Sequence, residues 1–440
     1  MTSSSSIPDL LIPRYCICQI LHQVLEQGHP LDQIYEDALA PYRVDTQNRH
    51  FIRHMVMVGL RNIGRIDAIL SRLSTTPFLK IAPAEVRTLL RLGAIQILYS
   101  QVTEFAAVDT TVDLAVATGF ARQKGMVNAV LRNLIRQKEE FTEILESDSY
   151  ALPEWIYKSW VASYGTDAVR DIIKVTQTQA PFDMSLKPNQ NIDFDDQAVI
   201  LPSGTVRLEN AQNITALEGF QEGIWWAQDV AASIPVLLLE RAMESLDGKT
   251  IIDLCAAPGG KTAQMAARGA NVVAVDRSAS RLRTLKDNAQ RLDLKSKIEI
   301  LCEDALKWQP KNAFDAILLD APCSATGTLR RNPDVLWLKD QGDLKKLQDL
   351  QKSLLNHAFN QLSLGGTLVY CTCSLQPEEG EMQINDFLKS HPNAQRMVMD
   401  VSDWNLQHAI TKSGDVRLLP CYYGDQGGMD GFFISILRKI

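Results

Sequence analysis

Two cysteines follow short apolar runs in closely similar surroundings. Asp320-Ala-Pro-Cys-Ser324 ends the run that begins at Phe314, and Tyr370-Cys-Thr-Cys-Ser374 ends the run that begins at Gly365. If the two runs are neighbouring strands of a parallel sheet, Cys323, Cys373 and Asp320 meet at one rim. A thiolate is a natural nucleophile toward an electron-poor ring carbon, and its neighbours can depress its pKa. A single buried cysteine is by default a small hydrophobe. Two at adjacent strand ends beside an acid form a candidate catalytic group.

A second constellation precedes them. The run starting at Thr250 ends in Asp253-Leu-Cys-Ala-Ala-Pro-Gly-Gly-Lys-Thr262. Gly259 and Gly260 permit a tight turn, and the helix expected to follow offers free N–H groups to a ligand. Gly260-Lys261-Thr262 matches the tail of a phosphate-binding loop, but Cys255 stands where that motif requires glycine, and no G-x-G-x-x-G is present. A nucleotide-like ligand and a purely structural turn both remain open for this segment. Asp276 ends the next run, 17 residues beyond Gly259, where a carboxylate can accept from both hydroxyls of a ribose. Asp304 closes the third run and is placed to accept from an adenine amino group.

The elements that must position these groups are β-rich runs over 250–262, 270–276, 297–304, 314–322 and 365–374, with helical patterns between several of them. This alternation predicts a parallel, doubly wound sheet with ligands at the carboxyl ends of its strands. From Pro13 to about Lys138 apolar residues recur at three- and four-residue spacing, as in Ile17, Ile20, Leu21, Val24 and Leu25, which predicts a helical bundle. Within it, 87–100 is expected to bury Leu89, Leu90, Ile95, Ile97 and Leu98 and to carry Arg87 and Arg91 on a surface face. The helix over 124–138 ends in Arg132, Arg136 and Lys138, which either meet RNA or complement the helix dipole. Between Pro153 and Gly223 a helix near 154–176 is followed by a few strands. The expected domains are 1–145, 146–223 and 224–440.

Composition bounds the function classes. The 440 residues are 45% hydrophobic and 22% charged, which excludes long disorder and fibrous architecture. No apolar run approaches the roughly 18 residues of a membrane span. MTSSSSIPDL is read as a frayed tail and not a secretory signal, and the protein is expected in the cytoplasm. Eight cysteines, none in paired C-x-x-C sets, fit a reducing compartment and predict neither a disulfide framework nor a metal site. The net charge of −7 conceals a basic stretch: 51–100 holds seven Lys/Arg against two Asp/Glu, whereas 146–231 holds five against 13. Candidate RNA contacts are therefore Arg61, Arg65, Arg87, Arg91 and Arg132, with Arg330 and Arg331 near the cysteine motif.

AAPGGKT (256–262), DAPCSATGTLRRNPD (320–334) and YCTCSLQPEE (370–379) resemble the AdoMet-dependent RNA cytosine-5 methyltransferases, most closely the Sun/Fmu (RsmB) branch, which modifies 16S ribosomal RNA. GMVNAVLR (125–132) is similar to NusB-like RNA-binding domains. The resemblance implies an α/β, Rossmann-like methyltransferase domain preceded by an all-α NusB-like bundle and a small α+β linker domain. It implies S-adenosyl-L-methionine held by Cys255, Ala256, Ala257, Pro258, Gly259, Gly260, Lys261, Asp276, Asp304 and Asp320. It makes Cys373 the nucleophile toward cytosine C6, Asp320 the contact to N3 and Cys323 the thiol that assists release. Cytosine C5 is too weak a nucleophile to take a methyl group unaided, and covalent addition at C6 turns it into an enamine-like carbon. The target base must also leave its stack.

Family members commonly carry an Arg/Pro-rich strand where this chain reads APFDMSLKPN (180–189), so middle-domain RNA contacts do not carry over. Cys371 is assigned to the core, on the side away from Cys373. Ribosomal RNA, naked or in an early small-subunit particle, is the expected partner, with no membrane and a monomer favoured. The same active site could serve a tRNA. A phosphate-loop ATPase is disfavoured by Cys255, and a non-catalytic RNA-binding assembly factor leaves the cysteine pair unexplained.

Overall fold

The computed structural model describes residues 7–192, 198–209, 211, 213–310 and 312–440; of the frayed tail expected over residues 1–10 the first six lie outside them, whereas Asp9–Leu11 form a 3-10 turn leading into the bundle, so the end of that stretch is ordered. The chain divides into two units, one of residues 1–173 with 332–340, the other of 174–331 with 341–440.

The periodic apolar positions of the first unit fold as a helical bundle: α1 (Ile12–Gln27), α2 (Leu31–Leu39), α3 (Thr46–Leu73), α4 (Ala84–Tyr99), α5 (Glu104–Ala117), α6 (Lys124–Arg136), α7 (Thr142–Glu146) and α8 (Glu154–Tyr164). Asp45 caps α3 by accepting from Asn48 N, and Thr103 caps α5 by accepting from Ala106 N. Ile17, Leu21, Ile52, Leu60, Leu90, Ile95 and Leu131 are completely buried in the shared core. The single helix expected near 154–176 is two, because Gly165 adopts φ 85° after α8 before α9 (Thr166–Thr176) begins.

The bundle also holds a piece of distant sequence. Asp334 Oδ2 accepts from Leu31 N at 2.9 Å, and the indole N–H of Trp337 donates to Leu60 O at 2.9 Å. Trp337 and Leu338 pack against the helical core.

Two expected surface residues of this unit are not on the surface. Arg91 is buried, its guanidinium spread over both oxygens of Asp67 at 2.8 and 2.7 Å, with Glu26 Oε1 at 2.8 Å. Arg87 shares Glu26 and donates to Ile81 O at 2.7 Å. One face of α4 is thus a buried charge network, sealed because opposite charges on α1 and α3 meet it.

In the second unit β1 (Phe182–Leu186), β2 (Ala198–Ile200), β3 (Val206–Leu208) and β4 (Trp225–Ala227) form an antiparallel sheet in the order β2-β3-β1-β4. The Arg207 guanidinium bridges to both oxygens of Asp183 inside it, at 2.6 and 2.7 Å. After α10 (Val230–Met243) the α/β pattern runs as anticipated through β5 (Thr250–Leu254), α11 (Gly260–Ala267), β6 (Asn271–Asp276), α12 (Ala279–Arg291), β7 (Ile298–Cys302), β8 (Phe314–Asp320), α13 (Gln341–Asn360) and β9 (Leu362–Thr372). Beyond the five expected strands come α14 (Glu381–Ser390), β10 (Ala394–Met397), β11 (Val416–Leu418) and β12 (Phe432–Lys439).

The large sheet runs β10-β12-β9-β8-β5-β6-β7, with β11 paired to β12. The five central strands are parallel, and β12 runs antiparallel to β9. Ile251, Ile252, Leu254, Ile317, Leu318, Leu319, Leu368 and Val369 are fully buried, as a sheet covered on both faces requires. Strand order reverses between β5 and β8, and the crevice at such a reversal is where open α/β sheets bind ligands. Among the described residues no helix is long and apolar enough to cross a membrane.

Candidate active site

The loop after β5 is built around unusual backbone. Cys255 has φ 63°, and Gly259 caps α11 at φ 102°. A Cβ on Gly259 would lie 2.6 Å from Leu285 Cγ on α12, whereas one on Gly260 would meet nothing closer than 3.8 Å. Only the first glycine is therefore required by both backbone and space. The first amides of α11 open at the end of the loop, where a helix N-terminus favours negative charge.

Carboxylates surround this loop. Asp276 ends β6 and accepts from Ala257 N at 3.1 Å and from Ser278 N at 2.8 Å, one N–H on each oxygen, which leaves lone pairs for a ligand. Asp304 follows β7 and caps a turn, accepting from Leu306 N at 3.0 Å. Asp253 accepts from Thr262 Oγ1 at 2.5 Å, while its fully buried Oδ1 has no hydrogen-bond partner. Burial first, with the Asp320 and Asp276 charges adding to it, raises the Asp253 pKa to about 7. Burial and the same carboxylates push the Cys255 thiol up to about 12, so Cys255 sits in the loop as a neutral thiol.

At the ends of β8 and β9 the expected cysteines meet. Cys323 Sγ and Cys373 Sγ are 3.5 Å apart, both partly accessible. The Cys373 sulfur and burial push the Cys323 pKa far above its ordinary value, which holds that group as a thiol. Asp320, the last residue of β8, pairs in register with Cys371. One of its oxygens takes the Lys261 ammonium at 2.8 Å, and the other lies 3.6 Å from the Cys371 thiol. Burial is the largest single influence on Lys261 and opposes its charge, but Asp320, by charge and hydrogen bond, together with the neighbouring Cys371 and Cys373 keeps the lysine pKa above the usual value. Lys261 also lies 4.8 Å from the Phe432 ring centroid.

Cys371 is buried as expected, but it is not turned away from Cys373. Residues two apart on a strand share a face, and both cysteines pack against the same core cluster.

The candidate RNA contacts separate. Arg330 is completely buried, donating to Asp229 Oδ2 at 2.8 Å and to Gly427 O at 2.6 Å, so it is structural. Arg331 pairs with Asp430 yet keeps 44% of its side chain exposed. Arg65 is buried against Asn62 and Ser147, and burial lowers the pKa of the partly buried Arg61 to about 10. Arg132 is exposed, donating to Asn128 Oδ1 one turn earlier. Of the seven arginines, Arg132 and Arg331 most clearly present charge to solvent.

Sequence reasoning placed Lys261 only in the ligand loop and did not find its bond to Asp320. It also passed over Glu379. A partial signal was in the sequence, where each candidate cysteine is followed by a serine; the structure shows both serines bonded to this glutamate.

The family model "16S rRNA methyltransferase RsmB/F" matches residues 240–438, and the NusB family model matches 12–136. The chain is 32% identical to the ribosomal RNA small subunit methyltransferase B of Vibrio cholerae and 35% identical to that of Sodalis glossinidius, in each case across 97% of both chains. Among solved structures, PH0851 matches over 99% of this chain and 100% of its own, with a TM-score of 0.76 at 22% identity. A methyltransferase homologue from Pyrococcus horikoshii matches over 66% of this chain and 95% of its own, with a TM-score of 0.53 at 24% identity. These structures share the fold.

Proposed function

The chain belongs to the RsmB/F family of 16S rRNA methyltransferases, with a NusB-family region ahead of the methyltransferase match, and we propose that it methylates C5 of a cytidine in 16S ribosomal RNA through a covalent adduct between Cys373 and C6. S-adenosyl-L-methionine is the cofactor, and when bound it supplies an electrophilic methyl group. The β5–α11 turn, the open α11 amides and the carboxylates Asp276 and Asp304 fit a ligand with an amino-acid and a nucleoside end. The observation that carries the proposal is the 3.5 Å approach of Cys323 and Cys373 beside Asp320.

The Cys373 thiolate gives its electron pair to C6, and the C5=C6 pair moves through the ring toward N3. As the pair reaches N3 that atom takes a proton from water, returned at release, and Asp320, its carboxylate fixed by Lys261, accepts a hydrogen bond from the N3–H. C5, now enamine-like, takes the methyl group. The C5 proton then passes to water, the C5=C6 bond returns and Cys373 leaves as thiolate, with the Cys323 thiol 3.5 Å away placed to donate to the departing sulfur. Cys323, held as a thiol, suits donation to the departing sulfur and not removal of the C5 proton.

The domain division 1–145, 146–223 and 224–440, a cytoplasmic location and a monomeric state belong to the same proposal, with Arg132 and Arg331 as RNA contacts. Labelled methyl transfer to small-subunit ribosomal RNA, followed by nucleoside analysis, tests it. Label in 5-methylcytidine is expected. Label in tRNA alone would keep the chemistry and replace the substrate, and label in another nucleoside would overturn the adduct.

A further inference from the structure

Cys323 and Cys373 lie on separate loops, and one buried residue is at the centre of the bonds that hold the residues on either side of each. Glu379 is completely buried. Its Oε2 accepts from Ser324 Oγ and from Ser374 Oγ, each at 2.5 Å, and its Oε1 accepts from Ser324 N at 2.9 Å. The two serine oxygens are 2.9 Å apart. Ahead of each cysteine the same hub holds the chain. Gln351 Nε2 donates both to Glu379 Oε1 and to Pro322 O, each at 2.9 Å, and Thr372 Oγ1 donates to Glu379 O at 3.4 Å. Pro322-Cys323-Ser324 and Thr372-Cys373-Ser374 are thus bracketed by one carboxylate, its own carbonyl and one amide.

We infer that Glu379 is a positioning residue of the methyl-transfer reaction, setting the distance and angle between the Cys323 and Cys373 sulfurs through Ser324 and Ser374. The inference rests on the proposed cysteine chemistry for its consequence and on the hydrogen bonds alone for its geometry. A carboxylate suits this place because every group around it donates. It accepts from two hydroxyls and two N–H groups at once, which no other side chain of this length can do. Loop-to-loop bonds without the glutamate are fewer: Gly327 N donates to Cys373 O at 3.0 Å and Leu375 N to Thr326 Oγ1 at 3.1 Å. Neither grips the residue next to Cys323; the Ser324–Ser374 hydroxyl contact does, and both its oxygens donate to Glu379. Without Glu379, Ser324 keeps its hydroxyl contacts to Ser374 and Thr326, Gly327 keeps its bond to Cys373 O and Gln351 keeps its bond to Pro322 O, but the carboxylate that orients both serines is gone.

The experiment compares wild type, Glu379→Ala, Glu379→Gln and the Ser324→Ala/Ser374→Ala pair in the full chain. The first readout needs neither RNA nor AdoMet. The azo oxidant diamide takes up the two thiol hydrogens as the Cys323–Cys373 disulfide forms, and the cross-linked peptide is followed by mass spectrometry. Glu379→Ala is expected to slow cross-linking about tenfold, and Glu379→Gln, which keeps the shape and can turn its amide N–H toward a serine oxygen, to stay within about fivefold of wild type. The second readout is methyl transfer. Glu379→Ala is expected to lower kcat about a hundredfold, with KM for RNA and AdoMet binding within about twofold of wild type, as a misplaced nucleophile predicts.

Should Glu379→Ala not fold, the serine pair carries the same test, because it keeps the buried carboxylate and removes both hydroxyl ties to it, leaving the backbone N–H of Ser324 and Gln351. Equal cross-linking in all folded variants overturns the inference. Altered cross-linking with wild-type kcat leaves the geometry and overturns its role in the reaction. If wild type itself transfers no methyl group, the cross-linking rates still decide whether Glu379 sets the sulfur pair, and the failure belongs to the proposed activity.

Discussion

The sulfurs of Cys323 and Cys373 lie 3.5 Å apart although fifty residues separate them in the chain. The parallel pairing of β8 and β9 brings them together, since Asp320 and Cys371 are partners in register and each strand ends within two residues of that pair. The proposed chemistry, in which one thiol attacks and the other donates to the departing sulfur, rests on this pairing.

Cys373→Ala is expected to reduce methyl transfer by at least about a thousandfold, because the uncatalysed cytosine ring has no comparable route to an activated C5. AdoMet binding, measured by calorimetry, should be unchanged. Turnover retained in this variant would remove Cys373 as nucleophile.

Cys323→Ala is expected to let addition proceed and to stall release. A protein–RNA complex that survives denaturing electrophoresis should accumulate, and it should vanish when Cys373→Ala is combined with it. An adduct persisting in the double variant would assign the attack to a different group.

The two loop glycines should behave differently. Gly259→Ala places a Cβ 2.6 Å from Leu285 at φ 102°, so AdoMet affinity is expected to fall at least about tenfold and the melting temperature to drop. Gly260→Ala meets nothing closer than 3.8 Å and begins a helix, so its stability should stay near wild type. Equal effects in thermal melting and cofactor titration would contradict the loop geometry.

Arg91 and Arg132 make a second contrast. Removing Arg91 strands Asp67 and Glu26 beside a buried site, and Arg91→Ala is expected to destabilise the protein by about 3–5 kcal/mol. Arg132→Ala should leave the melting temperature unchanged and weaken RNA binding, with a salt slope shallower by roughly one phosphate contact. Loss of RNA affinity without loss of stability in Arg91→Ala would reverse the assignment.

Asp253 predicts a pH dependence. Its folded pKa of about 7 lies above the ordinary 3.8, so between those values the folded chain binds the extra proton. Stability from this group is therefore full below about pH 4 and falls as pH rises toward 7. Asp253→Asn should gain on wild type through that window and hold a constant advantage above it. A difference in melting temperature that is flat from pH 4 to 8 would place the titration elsewhere.

Much of the site was legible in the sequence because each of β5, β6 and β8 ends on a residue that carries chemistry or leads directly to one. Strands buried on both faces leave apolar runs whose first polar residue marks the rim, which is how Asp276, Asp320 and the two cysteines were found. Arginines were not legible in this way. Arg330 and Arg331 are adjacent, but Arg330 meets Asp229 from 101 residues away and is sealed, while Arg331 meets Asp430 and stays half exposed. Arg91 looked like a surface residue because its two acids sit on other helices. Glu379 escaped for the same reason: a clamp is defined by what it joins, and Ser324 lies 55 residues before it.

The placement of Asn332–Asp340 in the helical unit bears on how the protein is made. A fragment ending at residue 173 lacks the acceptor for Leu31 N and the indole that bonds to Leu60 O. During synthesis the bundle can gather early, but its last nine residues emerge only after β5 to β8. Completion of the helical unit thus waits on the ribosome having delivered more than half of the other unit, and a premature stop before Asp340 leaves both unfinished.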